Sequence, residues 1–353
     1  RVRISSQAIR PATRTSEQVE RDMAGQVSRR TQPLGDFILA HLRANGIADV
    51  AVALEAARAV AGAFGKLKPG TKEKEEKAGK AKAKAKGDAA AADASSSADE
   101  GGKKDEAWIE QLAFISPTER DRACALALRI ARGEKVDLKK EPPLLKVDTA
   151  VDIAMFGRML ADAPEFNREA AVQVSHAFTT HAAVAESDYY TAMDDDKPEA
   201  EDVGAGFIGQ AGFGSGVYYS YVCINTELLT ENLGGDADLA KRAVEAFAWA
   251  FATVTPSGKI NSFANHGRPS FILAERGDQA PRILSAAFAR PVRGDDVLAA
   301  SIDALVRLRQ NMDVAYGACA EATTVMNVET GEGSLAEVVA FLKGGAGKDH
   351  GNA

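Results

Sequence analysis

Between Lys66 and Glu106 the chain reads KLKPGTKEKEEKAGKAKAKAKGDAAAADASSSADEGGKKDE, a stretch with no aromatic residue and with Leu67 as its single branched aliphatic side chain. Such a segment cannot bury enough apolar surface to offset the entropy of ordering it. It predicts a disordered insertion, so the fold must be built from what lies on either side. The segment runs basic first and acidic later. The acidic half dilutes the charge that a nucleic-acid-binding tail needs, which favours a solvated linker over a basic arm.

The flanks are periodic. LGDFILAHLRANGIADVAVALEAARAVAGAF precedes the insertion with helical spacing. After it come Trp108, Leu112 and Ile115, then SPTER, where Ser116, Pro117 and Glu119 supply an N-cap, a first-turn proline and a capping box. This predicts a helical lobe split by a loop. Further along, AAVQVSHAFTT alternates Val172, Val174, His176 and Phe178 on one side, which predicts a strand, and GVYYSYVCIN predicts another. Leu239, Ala243, Phe247 and Phe251 mark a later helix; Leu298, Ile302, Leu305 and Met312 mark one more. Helices mixed with strands give an α+β fold.

With 353 residues, 45% hydrophobic side chains and a formal charge of −7, the chain reads as a globular protein. Its apolar runs are broken by charge well short of the ~20 residues a bilayer crossing needs, so no membrane span or membrane partner is expected. Cys124, Cys223 and Cys319 are odd in number and widely spaced. They predict buried free thiols in a reducing cytoplasm, with neither disulfide nor metal site. No secretory signal is visible. The sequence opens RVRISSQAIRPATR, four arginines and no carboxylate on an acidic chain, and it begins at an arginine with this basic stretch already under way. A missing N-terminal piece is therefore expected.

Motifs of catalysis fail on their context. GAGFIG, Gly204 to Gly209, fits a dinucleotide fingerprint but follows the polar DDDKPEAEDV rather than a strand and leads into a strand rather than a helix. TPSGKI lacks the upstream glycine of a phosphate loop and has Ile260 where a hydroxyl should meet magnesium. His176 and His181 lie five apart in strand-like sequence and so face opposite ways, unsuited to sharing a metal. Asp194 to Asp196 read as solvated turn chemistry rather than a cation site. No nucleophile, base and orienter stand together.

The block ESDYYTAMDDDKPEAEDVGAGFIGQAGFGSGVYY is hairpin-like. Two aromatic arms, Tyr189 to Met193 and Val217 to Tyr219, enclose a glycine-rich acidic tip that also carries Phe207, Ile208 and Phe213. Apolar residues on such a tip need a surface to meet: either the stacked bases of a single-stranded nucleic acid or the loop's own domain.

RVRISSQAIRPATR, VDIAMFGRMLAD, SHAFTTH, DYYTAMDD, GAGFIGQAGFGSGVYYSYVCIN and LLTENLGG together resemble CasC, the backbone-subunit family of the type I-E CRISPR surveillance complex, Cascade. The segments follow the family's order across nearly the whole chain. The resemblance implies a palm of RRM-like (ferredoxin-like) fold, an inserted helical finger domain and a β-hairpin thumb. It places palm at 1–33, 148–185 and 220–353, finger at 34–147 with the insertion 66–106, and thumb at 186–219. The family's first palm strand precedes the basic motif, so the resemblance implies that this chain lacks it.

What the resemblance implies for function is a non-catalytic, RNA-binding subunit of an antiviral ribonucleoprotein. Several copies polymerise along one CRISPR guide RNA beside other Cascade subunits, and the guide pairs with target DNA. No cofactor or metal is implied; the guide RNA is the structural partner. Carried over residue by residue, Arg3, Ser5, Ser6, Gln7, Arg10 and Arg14 would hold guide phosphates, with Arg10 and Arg14 one helical turn apart. Pro11 would delay or bend that helix. Lys259 and Asn261 would lie near the RNA backbone, and Tyr189, Tyr190, Met193, Phe207, Ile208 and Phe166 would meet bases. Related backbone subunits cut target RNA, so an endoribonuclease using a carboxylate and magnesium is the alternative; a nucleotide-binding enzyme through GAGFIG is a weaker third.

Overall fold

The computed structural model describes residues 1–68, 107–192 and 207–344. Most of the expected insertion, Met193, the Asp194 to Asp196 run and Gly204 lie outside the described residues. Eleven strands occur among the described residues: β1 (Arg3–Ile4), β2 (Arg29–Thr31), β3 (Ala113–Ile115), β4 (Val172–Val174), β5 (Ala177–Thr179), β6 (Glu186–Ala192), β7 (Phe207–Phe213), β8 (Tyr218–Tyr219), β9 (Val222–Ile224), β10 (Phe271–Arg276) and β11 (Ala322–Asn327). The chain divides into two compact units, one of Arg1–Val19, Val172–Ile224 and Val244–Gly345, the other chiefly of Glu20–Ala171 and Asn225–Ala243. No helix among the described residues is long and apolar enough to cross a membrane.

The second unit is the helical one. Ser116 Oγ accepts the Glu119 amide at 3.0 Å and Glu119 Oε2 accepts the Ser116 amide at 3.2 Å, so the capping box starts the helix Pro117–Ala131 where its sequence directs. That helix packs with Leu34–Ala44 and Val50–Ala61 around Ile38, Leu42, Val60, Phe64 and Leu126. The ends of the insertion meet: the Lys68 amide donates to the Trp108 carbonyl at 2.8 Å and the Glu110 amide to the Lys66 carbonyl at 2.7 Å. The indole N–H of Trp108 donates to Asp36 at 2.7 Å. Deeper in, Glu119 Oε2 accepts Arg158 Nη1 at 2.6 Å with both side chains buried, and Glu119 Oε1 accepts the Leu145 amide at 2.9 Å. The unit is wider than the 34–147 expected of a finger domain, because Asn232 ties its own helix to the carbonyls of Ala154 and Glu169.

The first unit holds small antiparallel ladders: β1-β5-β8, β4-β9, β6-β7 and β10-β11. A single four-stranded sheet does not form among the described residues. The two long strands expected from AAVQVSHAFTT and GVYYSYVCIN each break in two, and at the same level. The Ser175 hydroxyl accepts the Tyr221 amide at 3.0 Å, and the Ser175 amide donates to the Tyr221 carbonyl at 2.9 Å. The break shifts the alternation by one residue, so His176 is exposed while Ala177 and Thr179 are buried. Tyr219, Leu284, Phe288 and Leu305 form one core cluster; Ala274, Met326 and Val338 form another.

Candidate nucleic-acid interface

Five of the exposed large hydrophobic side chains described, Tyr189, Tyr190, Phe207, Ile208 and Phe213, lie on the β6–β7 hairpin. Its returning arm is Phe207–Phe213, correcting the expected return through Val217 to Tyr219. Gly214 and Gly216 let the chain turn past Val2 and His181, and Tyr219 goes into the core, where its hydroxyl accepts the Leu284 amide at 3.1 Å. Directly opposed residues of an antiparallel pair share a face. Tyr190 opposite Gly209 and Ala192 opposite Phe207 therefore line one face; Tyr189 opposite Gln210 and Thr191 opposite Ile208 line the other. The hairpin is a blade one sheet thick with apolar side chains on both sides. Tyr189 is 71% exposed, Tyr190 49%, Phe207 56% and Ile208 66%, so none of the four is core.

Gly209 shapes one face. A Cβ there would come within 2.5 Å of the Tyr190 ring, so the missing side chain lets the ring lie across the ladder, its centroid 6.0 Å from that of Phe207. At the root of the blade, Phe213 meets Phe263 with centroids 6.3 Å apart.

The opening stretch sits in the same unit. Arg3 and Ile4 pair with Phe178 and Ala177, and Ser5 caps the helix Ser6–Arg14, its Oγ accepting the Ala8 amide at 3.2 Å. Pro11 neither delays nor breaks this helix; its missing N–H forfeits one bond in the second turn, and its ring lies on the exposed side. Arg3 and Gln7 are exposed. Arg10 is half-buried with an Nε that has no hydrogen-bond partner, and Arg14 follows one turn later. Ser6, expected at a phosphate, is 7% exposed, because its place in the first turn points it inward. Arg1 is anchored: its guanidinium donates to the Phe288 carbonyl and lies 5.5 Å from the Phe178 ring centroid.

Lys259 and Asn261 are both exposed on a loop of this unit. Lys259 has a left-handed backbone, φ 54°, and its ammonium lies 5.9 Å from the centroid of Phe263. Phe166, expected to touch RNA, belongs instead to the helical unit's core at 9% exposure, and its carbonyl accepts Arg158 Nη2 at 3.3 Å. The turn Pro164–Phe166 folds the ring inward. Sequence reading missed Phe263 and the role of Gly209; the phenylalanine after TPSGKINS was the available signal for the first. His181 is an internal tie, its Nε2 accepting the Val217 amide at 3.2 Å. Burial pushes the Cys124 thiol up to about 11, which keeps it protonated at neutral pH.

Such a surface can insert flat apolar groups between planar ones and hold anions beside them. The family model described as CT1975-like protein matches residues 1–341. A chain of a solved structure described as "CRISPR RNA-guided surveillance complex, pre-nicking" superposes with a TM-score of 0.76 and 26% identity, covering 98% of this chain and 91% of that one. Another, described as "CRISPR RNA-guided surveillance complex", gives a TM-score of 0.66 at 21% identity over 98% of this chain and 89% of that one, a likeness of fold alone. No curated protein matches.

Proposed function

Because this chain belongs to the CT1975-like protein family, we propose that it is an RNA-binding backbone subunit of a Cascade-type CRISPR surveillance complex, of the type I-E kind. The observation that carries this reading is the β6–β7 blade, whose apolar residues are exposed on both faces and so suit a wedge between successive bases. Similarity to a chain of an RNA-guided complex over nearly the full length supports it.

In this reading the unit with the small ladders is the palm, built on an RRM-like plan, the blade is the thumb and the helical unit is the finger. Arg3, Gln7, Arg10 and Arg14 meet guide phosphates, which position the strand without reading its sequence. The blade parts the bases, copies of the subunit repeat along the RNA, and target DNA pairs with the guide segments left exposed. The subunit binds and does not cut.

Purification without nuclease tests the proposal: a discrete short RNA should accompany the protein, and its digestion should disperse the particles. Recovery free of RNA, with no affinity for added single strands, overturns it. Incubating the particle with complementary RNA and magnesium should leave that RNA intact; cleavage would favour the ribonuclease alternative.

A further inference from the structure

Among the described residues, the non-glycine residues with positive φ are Lys259 (φ 54°) and Ala264 (φ 46°), and they bracket the same single turn, Ile260–Phe263. Left-handed backbone is unfavourable for a residue with a Cβ and persists only where something else holds it. Burial does not hold it here, since residues 261–268 are all exposed. Gly258, which could take that conformation freely, stands one position earlier and does not adopt it. The turn is closed by its own bonds, the Ala264 amide to the Ile260 carbonyl at 2.7 Å and the Thr255 hydroxyl to the Asn265 carbonyl.

The result of this strained geometry is the placement of one ring. Phe263 is 45% exposed, and it packs at the root of the blade against Phe213, itself 38% exposed, with an interplanar angle of 35°. The Lys259 ammonium, 5.9 Å from the Phe263 centroid, is at the outer reach of a cation–ring contact and so stays available to an anion. Solitary exposed phenylalanines need no explanation. Two in contact, one of them carried on a strained exposed turn beside a cation, form a built surface.

We propose that Phe263, backed by Phe213, is a base-stacking platform at the root of the blade, and that the left-handed backbone of Lys259 aims its ammonium at the phosphate adjoining the stacked base. The inference rests on the RNA-binding reading above and adds to it a contact outside the blade's own aromatic residues. The ligand is single-stranded RNA of any sequence, because every base offers a π face.

The test measures binding of a fluorescein-labelled oligouridylate to the full chain across a salt series, with thermal melts alongside. Lys259→Gly should melt at or above the wild-type temperature, since glycine relieves the strain, yet bind more weakly and flatten the slope of log affinity against log salt by about 0.7. Phe263→Ala should bind roughly fivefold or more weakly with an unchanged slope. Phe263→Leu, which keeps the apolar bulk without the ring face, should show the same loss and guards against a folding defect in the alanine variant. Wild-type affinity and slope in all three variants, with the parent protein binding normally, overturns the platform and leaves the proposed function standing. A melting temperature that falls in step with affinity in Lys259→Gly assigns the turn a structural role and also overturns it. Failure of the parent protein to bind any single strand removes the proposed function and this inference with it.

Discussion

The two-faced blade makes a quantitative demand on RNA binding. Replacing Tyr189 and Ile208 by alanine strips one face, and replacing Tyr190 and Phe207 strips the other. Base stacking on a side chain contributes about 1–3 kcal/mol, so each pair should cost about that much, a loss of roughly five- to 150-fold in affinity. Residues on opposite faces share no partner, so the quadruple variant should lose the sum of the two pairs to within about 0.5 kcal/mol. Within one face the behaviour differs: the Tyr190 and Phe207 rings lie 6.0 Å apart, and such pairs couple by about 0.5–1.5 kcal/mol. Fluorescence anisotropy with single-stranded RNA at fixed salt gives the affinities, and urea titration gives the stability. With all four side chains at least 49% exposed, the unfolding midpoint should barely move. Loss confined to one face, or a quadruple variant no weaker than one pair, would refute a wedge that meets bases on both sides, and variants that unfold would return these residues to a structural role.

Four further outcomes are expected. Glu119→Ala should destabilise the helical unit by about 3–5 kcal/mol in denaturant titrations, because the buried Arg158 guanidinium loses its carboxylate and the helix loses half its capping box; Glu119→Leu with Arg158→Met should recover most of that loss. Replacing residues 69–106 by a short Gly/Ser turn should leave melting temperature and RNA affinity unchanged, since Lys68 and Trp108 already pair across the gap. Arg10→Glu with Arg14→Glu should weaken binding alike for unrelated RNA sequences and flatten the salt slope by about 0.7 per lost contact, with the circular-dichroism spectrum preserved. Burial raises the Tyr219 phenol from 10.0 to about 12, so the folded state resists its ionisation: this contribution is full below pH 10 and is lost as pH rises towards 12. Alkaline unfolding should show that loss, and Tyr219→Phe should remove it.

Short-range chemistry was readable from the residues. Ser116, Pro117 and Glu119 start a helix by local bonds, and the aromatic run from Tyr189 announces one arm of a hairpin, while Phe207 reads only as part of its tip. What depends on distant partners was not. Phe166 looks like a loop phenylalanine until the helical core closes over it, and the strand break at Ser175 requires Tyr221, far along the chain, to supply the amide that its hydroxyl accepts. Tyr218 and Tyr219 read as the returning arm because nothing local reveals the core around Phe288. The left-handed Lys259 is hidden for the opposite reason: the adjacent Gly258 is where local preference puts an unusual φ.

The antiparallel closure at Lys68 and Trp108 also makes this point of the chain a splice port. Whatever lies between the two residues leaves and returns through neighbouring positions fixed by the Leu67–Ile109 bridge, and the entropy of closing such a loop grows by only about 0.6 kcal/mol for each doubling of its length. Length there is nearly neutral to the fold. A reporter domain whose own termini lie close together could be spliced between residues 68 and 107 without disturbing the helices beneath, giving the protein an internal label far in sequence from its basic opening stretch and from its blade.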